Sequence, residues 1–400
     1  ANDARLADWA RRGVATPDHV IRTKRSPLVL PAPTGALAVW REAAEAEIET
    51  FVGAYEAYFA RNVDRFPEGR KALDPVPRVA TIPGLGLVGF GKTAAEAAVT
   101  ADIAESWATT LLMAEAVGRF EPVGEADTFD LEYWSLEQAK LGKAAERRLE
   151  RHVALVTGGG GAIGAAVARA FAAEGAEVAV LDLDLGAAER AARAAGKQAL
   201  AIACDVTDAA SVKAAFAAVV RRFGGIDIVV SNAGSATTGM IADLSAEALR
   251  ASFELNFFGH QNIAQAAVAI MKAQGLGGCL LFNVSKQAVN PGPDFGAYGT
   301  SKAALLALVR QYALEHGAEG VRANALNPDR IRSGLLTEEM IAARAAARGV
   351  DTGAYMAGNL LGQEVTAEDV AEAFVFAALM RKTTGAVITV DGGNVAAMMR

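Results

Sequence analysis

The sequence predicts an α/β chain: a doubly wound parallel sheet of about seven strands over residues 151–400, preceded by a smaller α/β region. Three observations predict it. Across the second part, short apolar runs alternate with helical patterns, as parallel strands and their crossover helices require. The first run passes through a glycine-rich turn straight into a helical pattern. Later runs each end on a polar residue. In an open parallel sheet that places polar side chains at the carboxyl edge, where ligands bind.

The first 150 residues lie outside that pattern. Residues 1–34 hold a short helical stretch (ARLADWARRG), then residues 16–24 and a proline-rich segment, 26–33, that reads as a loop. Residues 35–122 form a small α/β domain. Within it, 35–59 reads as a long helix with acidic residues on its polar side. Residues 79–82 and 87–90 read as short strands about Pro83-Gly84-Leu85-Gly86, and 92–117 as a second helix. Residues 123–150 form a linker, helical over 125–143, whose Tyr133 and Trp134 are expected to pack against the main body. His19, beside Asp18, reads as a turn or cap residue.

In the second part, residues 152–156 (HVALV) suit a buried strand, and Thr157-Gly158-Gly159-Gly160-Gly161-Ala162-Ile163-Gly164 follows. Glycines let the backbone turn tightly and approach a pyrophosphate, and the next helix N-terminus favours its negative charge. The next run, 177–181, ends at Asp182, 18 residues after Gly164. A carboxylate there accepts hydrogen bonds from adenosine ribose hydroxyls and repels a 2′-phosphate, so NAD is expected over NADP. Asp184 reads as the cap of the following helix, and Gly159 offers no cation to a 2′-phosphate. Further along, Asp205 closes the run 199–204, Asn232-Ala233-Gly234 follows 226–230, and Ser285 follows 279–284. Asn256 sits in a helical stretch (SFELNFFGH).

Tyr298 and Lys302 are four residues apart, hence on one helix face one turn apart. An ammonium near a phenol favours the phenolate, which gives a base for an alcohol's proton while hydride leaves the carbon.

Taken in this order, residues 150–400 resemble a short-chain dehydrogenase/reductase, a Rossmann-type fold. The matching motifs are Thr157–Gly164, Asn232-Ala233-Gly234, Ser285/Tyr298/Lys302 with Asn256, and Val390-Asp391-Gly392-Gly393. The resemblance implies that Tyr298 is the general acid/base. Lys302 would lower its pKa and bind the nicotinamide ribose, Ser285 would hydrogen-bond the substrate oxygen, and Asn256 would hold a water that relays protons from Lys302. It implies cofactor contacts from Thr157, Gly158, Gly161, Ala162, Ile163, Gly164, Asp182, Leu183, Asp205, Val206, Asn232, Ala233, Gly234, Tyr298, Lys302, Pro328, Ile331 and Ser333. Such proteins are commonly tetramers, so a homo-oligomer is expected. Two departures stand out: Ala162 within the glycine motif, and Asn327-Pro328-Asp329-Arg330-Ile331-Arg332-Ser333, where the family usually has Pro-Gly.

Strings such as TPDHVIRTK, PGLGLVGFGKTAAEA and EYWSLEQAKL resemble bifunctional proteins of bacterial deoxysugar breakdown. In those, a class II aldolase for rhamnulose-1-phosphate is fused to a short-chain dehydrogenase for lactaldehyde. The aldolase core would lie upstream, so the chain reads as a truncated or cleaved product without aldolase activity, and residues 1–34 as a remnant. The dehydrogenase is expected to act on a small polar hydroxy-compound or a hydroxy-aldehyde such as lactaldehyde. A non-catalytic NAD-binding scaffold and a sugar-alcohol dehydrogenase are the alternatives. Lys286, Asn290, Arg330 and Arg332 are candidate substrate residues that suit a hydroxylated or anionic molecule.

Composition sets outer bounds. The 400 residues are 52% hydrophobic, enough for two cores, and the net charge of −7 argues against nucleic acid. Cys204 and Cys279 fall in or beside strands and read as small core residues. Four histidines with no metal spacing predict no metal, and no apolar run predicts a membrane span or secretory leader. A cytoplasmic location is expected.

Overall fold

The computed structural model describes residues 3, 5–139 and 145–394. It divides into two compact units, Ala1–Ala145 and Glu146–Arg400.

The first unit runs α1 (Leu6–Arg12), α2 (Val20–Thr23), β1 (Leu28–Val29), α3 (Leu37–Val63), β2 (Val79–Ile82), β3 (Gly86–Gly89), α4 (Ala94–Val117), α5 (Glu125–Glu132) and α6 (Ser135–Ala139). Its sheet has the order β1-β2-β3, with β2 and β3 an antiparallel hairpin. The segment expected to be a loop contributes β1, which pairs in parallel with β2 through Leu28 and Val29. Two paired residues between Pro27 and Pro31 are too short a run to show periodicity. The expected linker helix is broken: α5 ends at Tyr133, whose ring stacks on Phe129 at 4.4 Å and whose hydroxyl meets that of Tyr55 at 2.8 Å. Tyr133 therefore packs within the first unit, and Trp134 is exposed rather than packed. Residues 140–143 of that helix lie outside the described residues. His19 ends a 3₁₀ turn, Pro17–His19.

The second unit alternates strand and helix: β4 (Val153–Thr157), α7 (Ala162–Ala173), β5 (Glu177–Asp182), α8 (Leu185–Ala195), β6 (Leu200–Ala203), α9 (Ala209–Phe223) and β7 (Ile228–Ser231). There follow α10 (Ala246–Phe253), α11 (Gly259–Gln274), β8 (Gly278–Asn283), α12 (Gly296–His316), β9 (Val321–Pro328), α13 (Glu338–Ala346), α14 (Thr352–Met356), α15 (Ala367–Leu379) and β10 (Val387–Val390). Seven parallel strands form one sheet, β10-β9-β8-β7-β4-β5-β6. Val153–Thr157 is buried throughout because helices cover both faces. On one face Phe171 and Ala168 of α7 pack with Phe374 and Ala371 of α15. On the other, Val212 and Phe216 of α9, Ile263 and Met271 of α11, and Leu305 and Val309 of α12 form the core. Burying each such large side chain contributes roughly 1.5–3 kcal/mol.

The strand order reverses between β4 and β7, so the crevice at their carboxyl ends is the place for a ligand. Cys204 and Cys279 are free and buried. Among the described residues, no helix is long and apolar enough to cross a membrane, and no His, Cys, Asp and Glu side chains group as a metal centre.

Candidate active site

The glycine loop leaves β4 at Thr157 and enters α7 at Ala162. Gly158 has φ +58, and a Cβ there would lie 2.8 Å from Ala233 Cα. A Cβ on Gly164 would collide with the Gly158 carbonyl. Both positions are therefore reserved for glycine by geometry. Thr157 is buried, and its Oγ1 accepts from the Asn232 and Ala233 amides at 2.9 and 3.2 Å. Asn232 Nδ2 donates to the Thr157 and Gly158 carbonyls, so the β7 loop clamps the glycine loop.

These residues fit a dinucleotide. No side chain caps α7 at Gly161, which leaves the first-turn N–H groups around Ala162, Ile163 and Gly164 available to a pyrophosphate. An open cleft lies there, lined by Gly160, Gly161, Ala162 and Arg332 among others. Asp182 ends β5, and its carboxylate accepts from the Gly160 amide at 2.9 Å and the Asp184 amide at 3.0 Å. A carboxylate has about four lone-pair sites, so capacity remains for ribose hydroxyls. Asp184 caps α8 through Ala187, and Leu183 is exposed beside it. Asp205 accepts from Thr207, while Val206 is buried and packs against the position of Gly259.

Ser285, Tyr298 and Lys302 come together at the ends of β8 and α12. Ser285 caps a short turn, Lys286–Ala288, and its side chain hydrogen-bonds the Tyr298 phenol. Lys302 Nζ lies 5.9 Å from the centre of the Tyr298 ring. Tyr298 and Lys302 are held by a buried helix start: Ala297, Tyr298, Gly299, Ser301 and Lys302 face inward.

The electrostatics differ from the sequence expectation. Burial pushes the Tyr298 phenol up to about 12, against the lowering hydrogen bond from Ser285. Burial also pushes Lys302 down to about 7. Burial that favours the neutral amine leaves less positive charge beside the phenol at neutral pH.

Asn256 is fully buried in a π-helical turn, Glu254–Phe258. Its Oδ1 accepts from the Ser235 amide at 3.2 Å, and its Nδ2 donates to the Ser235 carbonyl at 2.9 Å. The side chain thus anchors the loop after Gly234.

The substrate candidates are not a set of open cations. Lys286 Nζ pairs with Asp329 at 2.7 Å, and Asn394 also donates to Asp329. Arg330, at φ +51, donates to the Tyr355 carbonyl at 2.6 Å and lies 3.5 Å from Asp329. Arg332 pairs with Glu338 and with Glu364 at 2.6 Å. Each of these three cations therefore has an internal carboxylate partner. Asn290 stays on the same turn, its amide donating to the Lys286 carbonyl. Pro328 ends β9; Ile331 is buried, and the Ser333 hydroxyl donates to the Ile331 carbonyl.

Sequence reasoning missed His260, Ser231 and Asn283. His260 Nε2 lies 3.2 Å from Lys302 Nζ, its Nδ1 lies 2.6 Å from Ser231 Oγ, and Lys302 donates to the Asn283 carbonyl at 2.9 Å. A signal existed: His260 stands four residues after Asn256, one turn on along the same side of the helical path.

The profile of the family described as enoyl-(acyl carrier protein) reductase matches residues 160–394, and that of aldolase class II, second domain, matches residues 1–141. The uncharacterized oxidoreductase YuxG of Bacillus subtilis is 37% identical over 415 residues, covering 100% of this chain and 60% of that protein. The chain therefore spans about three fifths of the length of that relative. 2-(S)-hydroxypropyl-CoM dehydrogenase 3 of Xanthobacter autotrophicus is 34% identical over 259 residues, covering 62% of this chain and 98% of that protein. A crystal structure of 3-ketoacyl-(acyl-carrier-protein) reductase from Brucella melitensis complexed with NADH is similar with TM-score 0.56 and 30% identity, covering 60% of this chain and 97% of that one. The chain belongs to the short-chain dehydrogenase/reductase family of oxidoreductases, preceded in the same polypeptide by an aldolase class II second-domain region.

Proposed function

We propose that this chain is an NAD-dependent dehydrogenase acting on a small, neutral hydroxy-compound or hydroxy-aldehyde, with lactaldehyde as the type. One observation carries the reading: Ser285, Tyr298 and Lys302 are joined at the carboxyl edge of the sheet that also presents Asp182. When bound, NAD supplies the hydride acceptor. Ser285 Oγ donates to the substrate oxygen, and Tyr298 Oη takes the hydroxyl proton. Lys302 adds positive charge behind the phenol. An aldehyde going to an acid would react as its hydrate through the same groups. The reverse reduction uses them in the opposite sense.

The name of the Xanthobacter relative supports a substrate carrying a short 2-hydroxypropyl-like unit. The internal pairing of Lys286, Arg330 and Arg332 supports neutrality, because a carboxylate substrate would have to displace Asp329 or Glu364. The test compares kcat/KM for lactaldehyde and propane-1,2-diol with that for lactate. The neutral pair is expected ahead by at least about tenfold, which is ~1.4 kcal/mol of transition-state preference. A preference for lactate would refute the substrate class.

NAD preference rests on Asp182. A 2′-phosphate beside that carboxylate meets like charge, which costs several kcal/mol. In Asp182→Ser the NAD:NADP ratio of kcat/KM is expected to fall at least tenfold. An unchanged ratio would place the ribose elsewhere.

A further inference from the structure

We propose that His260 is a positioning residue for Lys302: its Nε2 accepts a hydrogen bond from the ammonium, and Ser231 fixes the imidazole tautomer. This rests on the reading that Lys302 serves the reaction.

With Lys302 charged, the two close side-chain contacts give one assignment, and the Ala233 backbone is a further partner of the ring. An ammonium has donors and no lone pair, so the 3.2 Å contact from Lys302 Nζ requires Nε2 to accept. A neutral ring that accepts at Nε2 carries its proton on Nδ1. That proton faces Ser231 Oγ at 2.6 Å, so the ring donates there. His260 is the second residue of α11, and Ser231 is the last of β7, so two rigid elements fix the ring between them. Lys302 also donates to the Asn283 carbonyl at 2.9 Å. Two of its three N–H groups are thus directed by the protein, from α11 and from β8, and the third is left to the side of the bare Gly234 Cα. A Cβ on Gly234 would stand 3.6 Å from Nζ and 2.9 Å from Asn256 Oδ1.

Charge surroundings agree. Burial and the neighbouring Lys302 charge push His260 well below its usual range, so the ring stays neutral and able to accept. The titratable groups facing Lys302 are His260 from α11 and Tyr298 from its own helix. The other groups against it, the Asn283 carbonyl of β8, Asn256 of the π-turn and Gly234 of the β7 loop, carry no charge. Desolvation alone lowers Lys302. Its acceptors therefore decide how far up the pH scale the ammonium survives.

A merely structural histidine would fill space and satisfy Ser231. A positioning histidine also governs the protonation of Lys302, and the experiment separates the two with His260→Leu and His260→Gln in the full chain. Leucine removes the acceptor. Glutamine offers its carbonyl oxygen in place of Nε2. In His260→Leu, kcat is expected to fall about tenfold, and the alkaline decline of kcat to move about one pH unit lower, because the charged amine has lost a partner. His260→Gln is expected to restore most of both. An unshifted pH profile in His260→Leu, or equal damage in both variants, overturns the proposal.

A second readout needs no turnover. The chain has four histidines, so ¹⁵N-histidine NMR gives four rings, and His260 is the one lost in His260→Gln. Below the pH at which Lys302 loses its proton, its ring is expected to stay neutral with the proton on Nδ1. Its Nε2 signal is expected to shift in Lys302→Met. An Nε2-protonated ring, or one indifferent to Lys302→Met, overturns the proposal. Wild-type protein that oxidises no substrate would defeat the dehydrogenase reading instead, and the imidazole spectrum would still decide this one.

Discussion

Tyr298→Phe is expected to lower kcat by ~10²–10⁴-fold, the usual range for loss of a general acid/base, while NADH affinity changes little. The phenol is buried and hydrogen-bonded by Ser285. Phenylalanine keeps the ring, and hence the packing against Phe295 at 6.1 Å between centres. What it removes is the atom that exchanges the proton. Burial holds Tyr298 up near 12, so for alcohol oxidation the rate of the wild-type enzyme is expected to rise with pH from the acid side until Lys302 loses its proton. That rise should be absent from the residual rate of the variant. Steady-state rates against pH, with fluorescence titration of NADH, check both parts. A variant within threefold of wild type would remove Tyr298 from the chemistry.

Lys302→Met is expected to do the opposite to stability and to turnover. In the folded chain burial holds Lys302 down to about 7, whereas an unfolded lysine titrates near ~10.4. Between those values the unfolded chain binds more protons, so stability rises with pH through this window. The cost of burying the ammonium is fully present below pH 7 and has gone above the unfolded value. Replacing the amine by an apolar chain of similar length relieves that cost. The gain is expected to be on the order of 2–4 kcal/mol at pH 6, less whatever the bonds to His260 and Asn283 contribute, and to shrink as pH rises. Dehydrogenase turnover should nevertheless be lost. Denaturant midpoints of the second unit at pH 6 and pH 9 are the check. A variant less stable than wild type at pH 6 would mean that the two acceptors outweigh desolvation. A site that destabilises its own fold in this way is the signature of a residue kept for chemistry.

How far the sequence can be read depends on how local each feature is. The strand ending at Asp182, the Asp184 cap and the tight turn at Gly158 are all local. Each follows from residues within one turn or strand, and the structure places them as those residues dictate. Contacts made by the topology behave differently. Lys286 and Asp329 look like free charges in the sequence, but β8 and β9 are neighbours and their ends bring the two to 2.7 Å. His260 and Lys302 are 42 positions apart and meet only because α11 and α12 pack on one face of the sheet. The effect of Lys302 on Tyr298 was legible as spacing but not as electrostatics, since spacing does not report burial. In the first unit, β1 escaped notice because two residues carry no period, and Trp134 because an exposed aromatic and a packed one look alike in a sequence.

The central claim is that this chain moves hydride between NAD and a small hydroxylated molecule. The most direct measurement is the initial rate of nicotinamide absorbance change. It would be made with NAD and separately with NADP, across lactaldehyde, propane-1,2-diol, simple sugars and a steroid alcohol. Turnover with NAD on lactaldehyde or the diol, and little with NADP or the steroid, is the result expected. Measurable NAD binding with no turnover on any of them would contradict the account and make the second unit a binding module.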